Sequence, residues 1–474
     1  MNKYQKVAKN TLLIAIGTIG SKLIYLLMLP LYTRWLTTDE YGASDTITIY
    51  TDILITILFL NIADSIFVYP KMAATLEAKK DYFSSGFAFI LIMAIFGGAL
   101  FFVLDFFPVN IIQFGVFYKY RWLIFALMLS RYLQMFFQDF SRSLDKLGIY
   151  SASGVLLTGG IALFSFLLIP SSGVYGYVLA IILAQLTSAA FTFFAAREVT
   201  FFSFRNIKKQ PLKELLSYSI PLAPNSIMWW LINGINRPMM EAYLGLAAIG
   251  LYAVASRISG VINSISSIFS IAWSNSVLEE YGKEGFKTFY NNYMRIMAIV
   301  YFLGCMLLVV LSKPLVSLFT TPEYYDASML IPFMALGLCF SSMASNVGAV
   351  FSAVKKSKYF FYGSLWGGAM SVASLLVLMP LCGLIGTAIS LALSFLTILI
   401  VRWVYAIRFV KIYDIKLYFL LVFAFFAIYL NTLYVGIVLG GIIDVLIFVG
   451  LLYYFKSDIK KMMTLVAIKK NKKG

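Results

Sequence analysis

Apolar runs of about 20 residues follow one another from Thr11 almost to the last residues of the chain, and that length is what an α-helix needs to cross the hydrocarbon core of a bilayer. In lipid every backbone N–H and C=O must be bonded internally, which leaves helix bundles and closed barrels as the two possible architectures. A barrel requires alternation of apolar and polar residues, and these runs do not alternate. With 61% apolar and only 12% charged residues and a mean hydropathy of +0.87, the chain is more apolar than a soluble core requires. The expectation is an all-α integral membrane protein of about 14 transmembrane helices. Spans start near residues 11, 44, 84, 120, 147, 174, 213, 248, 287, 328, 359, 383, 416 and 436. Thr11 to Leu31 is too long for a signal-peptide core and lacks a small-x-small cleavage site, so it counts as an uncleaved first span.

The net charge of +17 invites a nucleic-acid reading, which its distribution opposes. Of the 38 Lys and Arg, 29 fall in the tails and even-numbered loops and five in the odd-numbered loops (Arg34, Lys119, Arg121, Arg237, Lys313); four lie inside spans (Lys22, Arg131, Arg257, Arg295). The positive-inside rule then puts both termini in the cytoplasm and supports an even span count. The tail from Lys456 to Gly474, with seven lysines, reads as an anchor near anionic lipid, not a nucleic-acid site. Cys305, Cys339 and Cys382 are far apart, which implies neither a disulfide framework nor a metal site. Histidine is absent, which excludes His-ligated haem, the usual catalytic zinc sets and His-based general base chemistry. No GxxxxGK[ST] phosphate loop occurs. No catalytic residues, no metal and no cofactor are expected, with Na+ or H+ as a possible coupling ion.

Two stretches recur. Pro30 is followed twelve residues later by Gly42 with Leu36 midway, and Pro238 by Gly250 with Leu244 midway, an offset of 208. "PSSGVYG" from Pro170 and "PLCGLIG" from Pro380 share PxxGxxG at an offset of 210. A looser pair, Lys146 with Tyr150 and Lys358 with Tyr362, stands at 212. Pro30 is expected to end the first span, and Gly42 to admit the turn into the second. Matching span one with span seven gives two pseudo-symmetric six-helix lobes plus two C-terminal helices, a transporter architecture with its path between the halves. The boundaries are 1–196 for the first lobe, 197–213 for a cytoplasmic linker, 214–408 for the second lobe and 409–474 for the last two spans and basic tail.

The early "LPLYTRWLTTDEYG", the later "SYSIPLAPN" and "GLYAVASRIS", the "EYYDASMLIPF" before span ten and the paired PxxGxxG resemble the polysaccharide flippases of the MOP (multidrug, oligosaccharidyl-lipid, polysaccharide) exporter superfamily, over essentially the whole chain. The resemblance implies a MATE-like fold in a bacterial cytoplasmic (inner) membrane. It also implies movement of an undecaprenyl-pyrophosphate-linked oligosaccharide, for O-antigen, lipopolysaccharide, capsule or a similar glycan, to the outer leaflet by alternating access. Partners would be that lipid-linked glycan, membrane lipids, and a glycan polymerase and chain-length regulator.

Such a cargo needs cations at membrane depth, because a pyrophosphate cannot enter hydrocarbon uncompensated. Lys22, Arg131, Arg237, Arg257 and Arg295 are the candidates, against the alternative of snorkelling or structural pairing. In span two, Asp45, Thr48, Asp52 and Thr56 fall within about 80° of one another on a helical wheel. Asp45 and Asp52 would bind a coupling ion or pair with a cation such as Lys22. Asn225, Trp229, Asn233 and Asn236 share a face of span seven and suit sugar hydroxyls and rings, or bundle hydrogen bonds. Ser256, Ser259, Asn263, Ser266 and Ser270 in span eight, and Asp444 in span fourteen, read as packing.

Two rivals stand beside the flippase. An ion-coupled multidrug exporter of the same superfamily would predict an acidic cavity, whereas cations occur in both halves. A membrane glycan polymerase or ligase, an enzyme, would be expected to carry a substantial outer loop, and the longest odd-side connection is near Asp105 to Lys119.

Overall fold

The computed structural model describes residues 27–104, 106, 115–411, 415–434 and 437–456. Lys22, most of the first expected span and the lysine tail beyond 456 lie outside the described residues. The described residues form α-helices and short 3₁₀ turns, and eight helices among them are long and apolar enough to cross a membrane. Contacts divide the chain into two compact units, one through Ala253 and one from Val254.

The first unit opens with α1 (Leu29–Trp35) and α2 (Thr38–Phe59). Pro30 stands in the first turn of α1, two residues past a turn at Met28, where its missing N–H has no helical partner to lose. The turn into α2 is made by Thr37, whose hydroxyl accepts the Glu40 N–H while Glu40 accepts the Thr37 N–H, a capping box written in the sequence as TTDE. Gly42 is therefore inside α2. Its role is close approach: a Cβ there would lie 2.0 Å from the carbonyl oxygen of Leu246.

Next come α3 (Ile62–Met72), α4 (Leu76–Val103), α5 (Gly115–Ser143) and α6 (Leu147–Ala195). Leu60 and Asn61 both have positive φ and break α2 from α3; the Tyr132 hydroxyl accepts the Ala63 N–H freed by the break, 2.9 Å away. Phe83, Phe136, Phe140 and Phe201 build the core where α4 and α5 meet the segment after α6. That segment is fastened to α4 by Ser84, which donates to the Phe201 carbonyl and accepts the Ser203 N–H, and by Ser85, which accepts the Lys208 N–H.

The seventh expected span is not one helix. It is divided among α7 (Lys209–Ser219), α8 (Ala223–Asn233) and α9 (Asn236–Tyr243), with a 3₁₀ turn at Ile220–Leu222. Pro221 and Pro224 cannot donate to the preceding turn, and Gly234 and Ile235 both donate to the Trp230 carbonyl as α8 ends. Helix α10 (Leu246–Ser259) crosses the boundary between the units.

The second unit holds α11 (Val261–Glu280), α12 (Phe286–Phe319), α13 (Ile331–Ala353), α14 (Lys358–Ala406), α15 (Ile415–Tyr434) and α16 (Ile437–Tyr454). Buried Trp273 stacks on Tyr293 at 3.7 Å and donates to the Asn346 carbonyl. Ser266, Ser270, Tyr301 and Asn346 bond to one another, so this part of the span-eight serine stripe serves packing. Asp444 of α16 accepts from Asn431 of α15 at 2.7 Å.

Helices α6 and α14 each run for 49 residues and would be about 74 Å long if straight. Each folds back on itself. In α6, Ser188 donates to the Ser153 carbonyl, and a Cβ on Gly176 would lie 2.2 Å from the Leu168 oxygen. In α14, Tyr359 stacks on Tyr405, and a Cβ on Gly386 would lie 2.1 Å from the Leu378 oxygen. The reversals fall at Gly173 (φ 51, ψ −124) and Gly383 (φ 58, ψ −136), a backbone region reached almost only by glycine. These are the fourth residues of the two PxxGxxG motifs, and the matching atoms are 210 residues apart. The same offset relates the turns ahead of the hairpins: Asp145 and Lys355 both have positive φ, and Lys146 N–H bonds the Ser141 carbonyl as Lys356 N–H bonds that of Phe351. Lys146 therefore corresponds to Lys356, not to Lys358 at offset 212.

Candidate functional site

Asp45, Thr48, Asp52 and Thr56 lie along one face of α2, as the 100° periodicity dictates. Asp45 accepts from Arg237 Nε at 2.9 Å. The Arg237 Nη1 donates to the Asn233 carbonyl at 2.6 Å and to the Asn236 side-chain oxygen at 3.0 Å, and the guanidinium lies 4.6 Å from the Tyr252 ring centre. Both charges are sealed, with side-chain exposures of 8% for Arg237 and 10% for Asp45. Two turns along α2, about 10 Å away, Asp52 pairs with Arg131 of α5. This second pair is open: 36% of the arginine and 39% of the aspartate side chain are exposed.

A third carboxylate, Glu241 of α9, accepts the Tyr50 hydroxyl at 3.0 Å and the Val116 N–H at 2.7 Å. Nothing in the spacing of Glu241 marked it, because its partners are 191 and 125 residues away. Trp230 donates to the Ile49 carbonyl and Asn61 to the Ser226 hydroxyl, so the broken α8–α9 segment is tied along α2.

The structure thus brings Asp45, Asp52, Arg131, Arg237 and Asn236 into one strip of the first unit. Asn225 and Trp229 lie on α8 and are half-buried. Asn233 is exposed, donates to the Trp229 carbonyl, and lends its own carbonyl to Arg237; the break at Gly234 separates it from Asn236, so the four do not form one continuous stripe. Arg257, in the last turn of α10, and Arg295 of α12 are half-buried in the second unit.

The two arginines differ in what they can do. Arg237 spends its fork on a carboxylate, an amide and a carbonyl, and its chemistry is positional. Arg131 shares its charge with one partly exposed carboxylate, and its planar guanidinium fork can hold two oxygens of a tetrahedral phosphate as it holds those of a carboxylate. Outside the spans, Glu198 opens the segment after α6 fully buried, with no hydrogen bond to either carboxyl oxygen among the described residues. Burial pushes its pKa up to about 9, with nearby Lys146 offsetting part of the effect.

A family profile described as "Polysaccharide biosynthesis protein" matches residues 7–274, and one described as "MatE" matches residues 221–374. No curated protein is similar enough in sequence to count as a relative. Among solved structures, the chain is similar to a lipid II flippase, MurJ, in an inward closed conformation: 17% identity, 96% of this chain and 100% of that chain covered, TM-score 0.72. It is also similar to a multidrug resistance MATE family transporter of the MOP superfamily. The inward-facing form shows 13% identity, coverage of 83% and 97% and a TM-score of 0.61; the outward-facing form shows 14%, 84% and 95%, and 0.59. At these identities the likeness is one of fold.

Proposed function

Since the chain belongs to the polysaccharide biosynthesis protein family, we propose that it is a flippase, not an enzyme, carrying an undecaprenyl-pyrophosphate-linked oligosaccharide from the cytoplasmic to the outer leaflet of a bacterial inner membrane by alternating access. In this proposal fourteen spans form two six-helix lobes plus a C-terminal pair, both termini are cytoplasmic, and a glycan polymerase and chain-length regulator act on the delivered unit.

The observation that carries the reading is the half-open Asp52–Arg131 pair on the polar face of α2. Intramembrane charges are costly unless used, and an arginine with an exchangeable partner suits an anion that binds and leaves. Lys22, Arg257 and Arg295 would complete the cationic path, and Asn225, Trp229 and Asn233 would meet the sugars. The test is deletion of the gene in its host, complementation with wild type, Arg131→Ala or Lys22→Ala at matched protein levels, and assay of lipid-linked glycan by leaflet. Accumulation on the cytoplasmic leaflet is expected in the deletion and in both variants. An unchanged distribution in the deletion, with no redundant flippase, would overturn the proposal.

A second reading, ion-coupled multidrug export, is favoured by the MatE match and by two carboxylates, Asp45 and Asp52, on one face of α2. It predicts cation efflux lost in Asp52→Asn with the glycan unaffected.

A further inference from the structure

We propose that the end of the α14 hairpin bearing Lys356, Lys358 and Arg408 is a binding site for the phosphate of a lipid headgroup in the cytoplasmic leaflet, independent of which cargo is carried. These three exposed cations sit over rings instead of carboxylates: Lys356 is 5.1 Å from the Phe409 centroid, Lys358 5.6 Å from Tyr359 and Arg408 5.2 Å from Tyr405. The rings form one platform, with Tyr359 and Tyr405 stacked at 4.6 Å and Phe351 against Tyr359, Phe360 and Phe409. Such a platform holds the lysine and arginine stems in place while their charges stay free.

Behind it, one turn inward from Ala406, lies Arg402. It is 5% exposed and has no carboxylate partner among the described residues. It donates to the Ala344 carbonyl at 3.0 Å and lies 5.1 Å from the Phe360 ring, and its Nε has no hydrogen bond among the described residues. Gly348 and Gly363 make its slot: Cβ atoms there would stand 3.5 Å from Nη1 and 3.1 Å from Nε. A buried charge without a counter-ion is expensive, and an anion on the platform would offset it.

The positive-inside bias alone explains lysines in a loop, but not this arrangement, as the first unit makes plain. At offset 210, Lys355 and Arg408 correspond to Asp145 and Glu198. In the first unit Asp145 pairs with Lys71, and Lys146 donates to the Ala196 carbonyl. Of the three site cations only Lys356 has a cationic counterpart, Lys146, while Gly148 and Glu198 stand where Lys358 and Arg408 do, so the shared backbone frame does not demand their charge.

The phosphate could belong to an anionic glycerophospholipid or to a polyprenyl pyrophosphate, and the test separates them. Full-length protein is placed in phosphatidylcholine nanodiscs doped with either phosphatidylglycerol or undecaprenyl pyrophosphate, and retained lipid is counted by native mass spectrometry. At about fivefold per cation, the variant Lys356→Ala/Lys358→Ala/Arg408→Ala should lose affinity on the order of 100-fold for whichever lipid occupies the site. A control with the same charge removed elsewhere, Arg205→Ala/Lys209→Ala/Lys213→Ala, should bind as wild type does. Equal retention of both lipids by wild type and the first variant, or equal loss in the control, would overturn the proposal.

Discussion

Arg237 and Arg131 pose the same question at two different exposures. Removing the partner of a sealed charge strands it, so Asp45→Ala should cost about 3–5 kcal/mol, and Asp45→Ala/Arg237→Met should recover much of that in thermal unfolding. If the double variant were no more stable than Asp45→Ala alone, the pair would not be the source of the loss. For the half-open pair, Asp52→Ala should destabilise less than Asp45→Ala does, because Arg131 keeps part of its exposure, while abolishing transport. Glu198 adds a pH signature. Its folded pKa, about 9 against an ordinary 4.5, makes wild-type stability fall as pH rises from 4.5 through 9, because the unfolded chain ionises first. Glu198→Gln removes that term, so it should match wild type near pH 4.5 and exceed it by on the order of 2–4 kcal/mol at pH 8. Melting temperatures in detergent at the two pH values decide it, and an equal gap at both would refute the assignment. The α2 stripe was legible in sequence because periodicity is local. Its partners were not, since Arg131 and Arg237 come from 79 and 192 residues away. Arg402 reads as a loop cation because it stands four residues from the end of its helix.

Among the elements, the hairpins carried the plainest sequence signal, and the reason lies in the glycines. Gly383 has nothing among the described residues within 4 Å of a Cβ, so Gly383→Ala tests backbone strain alone, about 1–3 kcal/mol. Gly386→Ala instead drives a methyl into the Leu378 carbonyl and should be the more damaging of the two. Thermal melts of the two single variants rank these effects, and a reversed order would mean that the second turn has slack the geometry does not suggest. Where the same logic failed, competing chemistry was at work. Pro30 reads as the passage from span one straight into span two, but the short α1 intervenes and TTDE caps α2, which moves the second boundary past Trp35. Span seven reads as one apolar run, yet Pro221, Pro224 and Gly234 divide it; hydropathy does not register a missing N–H.

On the scale of the molecule, the two halves of the 208-residue repeat meet within the first unit. A Cβ on Gly42 would lie 2.0 Å from the Leu246 oxygen, and one on Gly250 2.1 Å from the Thr38 oxygen. Each glycine faces the carbonyl four residues before the other, a reciprocal contact in which α2 and α10 touch backbone to backbone as small residues allow in membranes. If the alternating-access cycle works this crossing, its closed form has the backbones touching and its open form has them parted. Gly42→Ala cannot occupy the closed form without moving α10 away, so it should shift the population toward the open one. The check is a spin-label distance between cysteines introduced at Asp39 and Ala247, with native Cys382 replaced by serine. Gly42→Ala should lengthen and narrow that distribution and stop net transport, with the protein still monodisperse. An unaltered distribution with normal transport would mean that the crossing is fixed and that the moving joint lies elsewhere.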